Sequence, residues 1–207
     1  VVHIGSSNVE IKGFTIQNSG DWPHCGIYIW NSSEVMISNN IIKRNYYGIE
    51  MRKSQKVDIR GNMIVENFYA AVHISYSNSN NLVRNTIANN VIGVWIDYCD
   101  LPSTLYHNDF FDNINQSLVY GLAIWDNGYE GNYWSDYRGL DDGTDSRVRG
   151  DGVGDIDLPH LGVDDFPLIA PKGPIPVIWD KTIYLVGLVT NSTVALFNFI
   201  PPLKEFS

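Results

Sequence analysis

Three side chains able to move protons recur in successive segments of this sequence: Glu50 in "GIEMR", His73 in "AVHIS" and Asp97 in "GVWID". Two carboxylates around an imidazole are raw material for general acid–base chemistry, and a suitably spaced acid pair can cleave a glycosidic bond. Tyr28, Trp30, Arg52 and Trp95 lie near them in the repeat, and Trp125 follows further on. Rings that can stack on sugar faces, next to acids and a guanidinium, are the chemistry of a glycan site. A third group is a run of aspartates, Asp141, Asp142, Asp145, Asp151, Asp155 and Asp157, with glycines at 150, 152 and 154. Hard oxygens on a loop that can wrap closely suit Ca²⁺. The spacing is not an EF-hand, because no glutamate closes a twelve-residue loop.

A repeat must position these groups. Asn40, Asn62, Asn85, Asn108 and Asn132 follow one another at steps of 22, 23, 23 and 24 residues, and Asn45, Asn67, Asn90 and Asn113 keep step with them. Phe14 and Ser19 hold the two places in an earlier, degenerate unit. Ile37, Ile59, Leu82 and Leu105 recur in phase, as do Ile42, Ile64, Ile87 and Phe110. Gly26, Gly48, Ala71 and Gly93 each open a run of alternating apolar residues. Period-two alternation with Asn, Gly and Ser between the runs is a strand signal. Two or three short strands per ~22 residues fit a coil rising one strand spacing, about 4.8 Å, per turn. The expected fold is all-β, a right-handed parallel β-helix of 22–24 residues per coil. Asparagine tolerates left-handed backbone angles, so these asparagines are expected to turn the corners as well as to bond the coils above and below.

In such a coil the column Tyr28, Glu50, His73, Trp95 points outward, with Trp30, Arg52, Ser75, Asp97 beside it; Trp22, Tyr46, Tyr47, Phe68 and Tyr69 lie in the spacers. This face is the expected glycan site. Glu50 and Asp97 are expected about 10 Å apart, two coil rises, near the upper limit for an inverting glycosidase. Arg52 keeps both acids ionised and removes the general acid. Plain ring stacking between coils is the structural alternative. Cys25 and Cys99 stand about 14 Å apart along the axis, beyond disulfide reach, so the thiols are expected free or paired between chains. Asn31, Asn115 and Asn191 open N-glycosylation sequons.

The net charge of -9 and the pI near 4.8 argue against a nucleic-acid partner. No long apolar run suits a membrane span. The opening "VVHIGSSNVEIKG" has no basic or apolar leader and reads as the middle of a domain, so the chain is expected to be a trimmed piece. Its first coil has no visible cap, and one chain is expected to complete another, favouring a filament.

The units resemble the parallel β-helix repeats of the NosD-like, carbohydrate-binding and sugar-hydrolase (CASH-type) family found in archaeal cell-surface proteins. "GNYWSDY" (Gly131 to Tyr137), "GDGVGD" (Gly150 to Asp155) and "DDFPLIAP" (Asp164 to Pro171) resemble the segment that closes such helices. The family's acidic loop is interrupted here by Arg147 and Arg149. The expected organisation is coils over 1–130, a closing segment over 131–171, and a β tail over 172–207 that begins a following domain. The resemblance implies an extracellular or cell-surface module. The leading expectation is a non-enzymatic spacer that binds glycans, with copies of itself, flanking surface domains and polysaccharide as partners. Calcium is the expected cofactor, with no organic cofactor. The alternatives are a polysaccharide hydrolase or lyase, and a NosD-like copper-associated protein. Copper wants Cys, Met and His in groups, whereas these residues are scattered and only His24 and Cys25 adjoin.

Overall fold

The computed structural model describes residues 1–20 and 24–173, together with the backbone of strands 184–190 and 193–199. Residues 1–175 form one unit and 176–207 a second. In the second, Tyr184–Thr190 and Thr193–Phe199 pair antiparallel.

The first unit is a stack of coils with three parallel sheets of six strands each. Sheet 1 contains Val2–Ile4, Cys25–Trp30, Tyr47–Arg52, Ala70–Ser75, Ile92–Asp97 and Asn115–Val119. Sheet 2 is built from the short strands Glu10–Lys12, Met36–Ser38, Asp58–Arg60, Asn81–Val83, Ser103–Tyr106 and Ala123–Ile124. Sheet 3 is built from Thr15–Gln17, Ile41–Lys43, Met63–Val65, Thr86–Ala88, Asp109–Phe111 and Tyr133–Trp134. The expected parallel β-helix is the fold found. In a three-residue strand the middle side chain points inward: Ile37, Ile59, Leu82 and Leu105 in sheet 2, and Ile42, Ile64, Ile87 and Phe110 in sheet 3, in register and fully buried. Each buried isoleucine or leucine contributes roughly 1.5–3 kcal/mol.

The corner mechanism differs from the expectation. The asparagines of the repeat do not take the left-handed turn. The residue before each one does: Asn39, Gly61, Arg84 and His107 precede Asn40, Asn62, Asn85 and Asn108 at φ between 53° and 62°. Arg44, Glu66, Asn89 and Asp112 precede Asn45, Asn67, Asn90 and Asn113 at φ between 49° and 57°. Apart from the buried His107, the turning residue is partly or fully exposed, so charged side chains serve there at a strain of roughly 1–2 kcal/mol. Its backbone N–H bonds to the next coil, as Arg44 donates to the Glu66 carbonyl at 3.2 Å. The asparagine that follows points inward, where its amide reaches both neighbours. The Asn85 side-chain NH₂ donates to the Ile59 carbonyl (2.8 Å) and to Asn108 Oδ1 (2.9 Å), while its own Oδ1 accepts from the backbone N–H and side-chain NH₂ of Asn62. Ser32, Ser54 and Ser77 make a further ladder after sheet 1, each likewise behind a left-handed residue (Asn31, Lys53, Tyr76).

Toward the closing segment the core changes from aliphatic to aromatic. Phe110 stacks on Trp134 at 4.3 Å and Trp125 lies 5.4 Å from Trp134. The first asparagine ladder then ends on Asp164, whose Oδ2 accepts from the Asn132 backbone (2.8 Å) and the Trp134 indole (2.8 Å). A side chain at Gly131 would collide with this carboxylate. Asp109 fastens the segment's far end by accepting from the backbone N–H groups of Lys172 (2.9 Å) and Gly173 (2.5 Å).

Candidate functional site

Sheet 1 supplies the site because its strands are long enough to present two outward columns. Register places Tyr28, Glu50, His73 and Trp95 side by side, with His3 and Leu118 at the ends. Trp30, Arg52, Ser75 and Asp97 form the second column. Both columns match the arrangement read from the repeat.

The three proton-moving residues do meet. His73 Nε2 lies 3.5 Å from Asp97 Oδ2, and His73 Nδ1 lies 3.8 Å from Glu50 Oε1. On the far side of Glu50, the Cys25 thiol donates to Oε2 at 3.6 Å. The chain Cys25, Glu50, His73, Asp97 therefore crosses four coils, and the imidazole sits between the two acids.

This chain is covered. The His73 ring is stacked between Tyr47 (5.5 Å, 25°) and Trp95 (4.2 Å, 18°), and the side chains of Glu50, His73 and Asp97 are only 13%, 9% and 11% exposed. Burial outweighs the two carboxylates and holds the imidazole below its ordinary range. Burial, reinforced by Glu50, pushes the Cys25 thiol up to about 12, and burial likewise raises Tyr47. His73 Nδ1, Trp95 Nε1 and Asp97 Oδ1 are buried with no hydrogen-bond partner among the described residues. Cys25 and Tyr47 complete this cluster; Tyr47 is one of the expected spacer rings, whereas Cys25 is expected only as a free or intermolecularly paired thiol. The available signal was their place just before the small residue that opens each strand.

The accessible part of the face lies around Tyr28 and Trp30, whose rings are 6.2 Å apart and 28° from parallel, next to the half-buried Arg52. Trp30 is 39% exposed. Trp125, expected on this face, is a correction: it is 2% exposed in the core. Its strand, Ala123–Ile124, belongs to sheet 2 and pairs Thr104 with Ile124, so Trp125 falls opposite the inward Leu105. Trp22 and the Asn191 sequon lie outside the described residues. Asn31 and Asn115 are both exposed.

The aspartate loop turns onto its own backbone. Asp141 accepts from the N–H groups of Gly150 and Gly152, Asp155 from Gly143, Asp151 from Val153, and Asp142 from Thr144. Asp145 and Asp157 are exposed in left-handed turns. Among the described residues no group of three or more His, Cys, Asp or Glu side chains converges as a metal would require. Cys25 and Cys99 are free and buried. Cys99 extends the serine ladder, its thiol donating to the Asp97 carbonyl at 3.2 Å.

No curated protein and no solved structure matches the chain significantly. The model of the family described as "Periplasmic copper-binding protein (NosD)" matches residues 2–139, two thirds of the chain. With the coil register and the asparagine ladders, that match means that the chain belongs to the NosD family.

Proposed function

We propose that this chain is a rigid, non-catalytic β-helix module of an extracytoplasmic protein and that it holds a glycan on sheet 1. The observation that carries the reading is the Tyr28–Trp30 ring pair beside Arg52, on a face whose buried chain of Glu50, His73 and Asp97 fixes the strands beneath it. Sugar faces stack on such rings, and the guanidinium offers donors to hydroxyl or carboxylate groups. Trp95, at the far end of the outward column, stacks on His73 and belongs to the framework under the face, its indole N–H buried. The periplasmic description of the family supports an extracytoplasmic site. Among the described residues no helix is long and apolar enough to cross a membrane.

A hydrolase would need acids that a polymer can reach, and here rings cover both faces of the imidazole. The family's name raises copper, and the donor set does not fit it. Copper favours clustered thiolate, thioether and imidazole ligands. The Cys25 thiol stays protonated against Glu50, Cys99 is committed to backbone, Met51 is inside the core, and Met36 lies against Arg60. No copper chemistry is assigned to these residues.

A glycan array tests the reading. The wild type should give a defined set of positive glycans, and the double variant Tyr28→Ala/Trp30→Ala should lose them. An array on which the wild type binds nothing would leave the module a spacer alone.

A further inference from the structure

Where the chain leaves sheet 1 it passes a left-handed residue and then a ladder residue. It next reaches an isolated parallel bridge column made by Ser33, Gln55 and Asn78. The left-handed column (Asn31, Lys53, Tyr76) and the bridge column bound an open groove of about 360 Å³, within the ~300–1,000 Å³ range of small-ligand sites. This groove lies around the corner from the face discussed above, and Lys53 reaches from it over the Trp30 ring, 5.2 Å from its centre.

Its contents are specific in kind. The Tyr76 ring is 47% exposed and held flat by stacking on Tyr98 at 4.8 Å and 7°. Beside it the bridge column offers a hydroxyl and two amides, one coil rise (about 4.8 Å) apart. Asn78 Oδ1 is already occupied by the N–H groups of Asp100 and Leu101, which leaves its NH₂ as the free end. The amides of Asn31 and Gln55 and the Tyr76 hydroxyl make no hydrogen bond among the described residues. No carboxylate lines the groove, and its single cation, Lys53, is engaged with an indole. An anion would find one solvent-exposed lysine and no second cation among the lining residues, and an apolar ligand would strand the amides.

We propose that this groove binds a neutral pyranose unit, with one sugar face on Tyr76 and its hydroxyls on Gln55 and Asn78. The sugar has two possible sources, a free oligosaccharide or the first residue of an N-glycan on Asn31, which opens the sequon Asn31-Ser32-Ser33 at the groove's rim. Both present the same chemistry to Tyr76.

The test is an NMR titration of the labelled, unglycosylated chain with maltohexaose, cellohexaose, mannohexaose and chitotetraose, alongside a chain glycosylated at Asn31. Shifts at Gln55, Tyr76 and Asn78 are expected. Those produced by free sugar identify a free ligand, and those found only in the glycosylated chain identify the attached one. Tyr76→Asn removes the ring but keeps a residue at ease at φ 49°. It should weaken free-sugar binding about tenfold, the weight of one stacked ring, or abolish the shifts caused by the attached sugar. Gln55→Ala should weaken binding less. Unshifted groove resonances with all four sugars and in the glycosylated chain overturn the proposal, as does binding that survives Tyr76→Asn. Tyr28→Ala should leave the groove unaffected, so failure here and failure of the sheet 1 reading are separately visible.

Discussion

At the end of the asparagine ladder, Asp164 accepts from the Asn132 backbone, the Trp134 indole and, through Oδ1, the Phe166 backbone at 3.0 Å, and it is fully buried. Asp164→Ala orphans three donors, each worth about 1–3 kcal/mol, so the urea midpoint should fall by the equivalent of about 3 kcal/mol or more. Asp164→Asn keeps an acceptor and should cost about 1 kcal/mol. An equal loss in both variants would mean that the carboxylate's charge, rather than the ladder cap, matters. Nothing in "VDDF" marks Asp164 over Asp165, because the partner asparagine lies 32 residues earlier. His73 gives a second residue-scale test. Its imidazole is held below the ordinary range, so the unfolded chain takes up a proton first as the pH falls. Stability from this group is complete above about pH 6.5 and declines below it. His73→Gln should flatten that part of the stability curve measured by denaturant unfolding. A wild-type curve that rises on acidification through this range would contradict the assignment.

Each coil element carries a division of labour between a strained turning residue and a buried bonding residue. Arg84, at φ 57°, turns the corner, and Asn85 bonds the coils. Arg84→Gly should therefore be neutral or stabilising by less than about 1 kcal/mol. Asn85→Ala leaves buried N–H and C=O groups unpaired and should cost about 2–4 kcal/mol; thermal or denaturant unfolding of the pair decides between the two roles. The strands and their register were legible because apolar side chains, small residues and asparagines recur at one spacing. The corners were not, because a residue selected for its backbone angle and pointing to solvent can be Arg, Glu, Lys or Tyr, and side-chain chemistry leaves no common mark. Trp125 was misplaced for a related reason: its coil is offset, and a register shift of one residue moves a side chain to the other face. The Cys25 end of the buried chain was hidden because a lone thiol beside a glycine looks like ordinary packing.

At the scale of the molecule, hydrogen bonds from Asp164 and Asp109 fasten the end of the coil stack. The loop carboxylates already serve backbone N–H groups, so added Ca²⁺ or EGTA should leave the melting temperature unchanged. A rise with Ca²⁺ would show that the loop rearranges to bind it. On sheet 1 the His73 imidazole is stacked between Tyr47 and Trp95 with the acids largely buried beside it, while Tyr28, Trp30 and Arg52 are partly exposed. The most direct test is to measure the affinity of an array-selected glycan for Tyr28→Ala/Arg52→Ala and for His73→Gln, with product analysis of the glycan after incubation. The account predicts a loss of about tenfold or more in the first variant, near-wild-type affinity in the second, and an intact glycan throughout. Cleavage that disappears with His73→Gln, or binding indifferent to Tyr28 and Arg52, would contradict it.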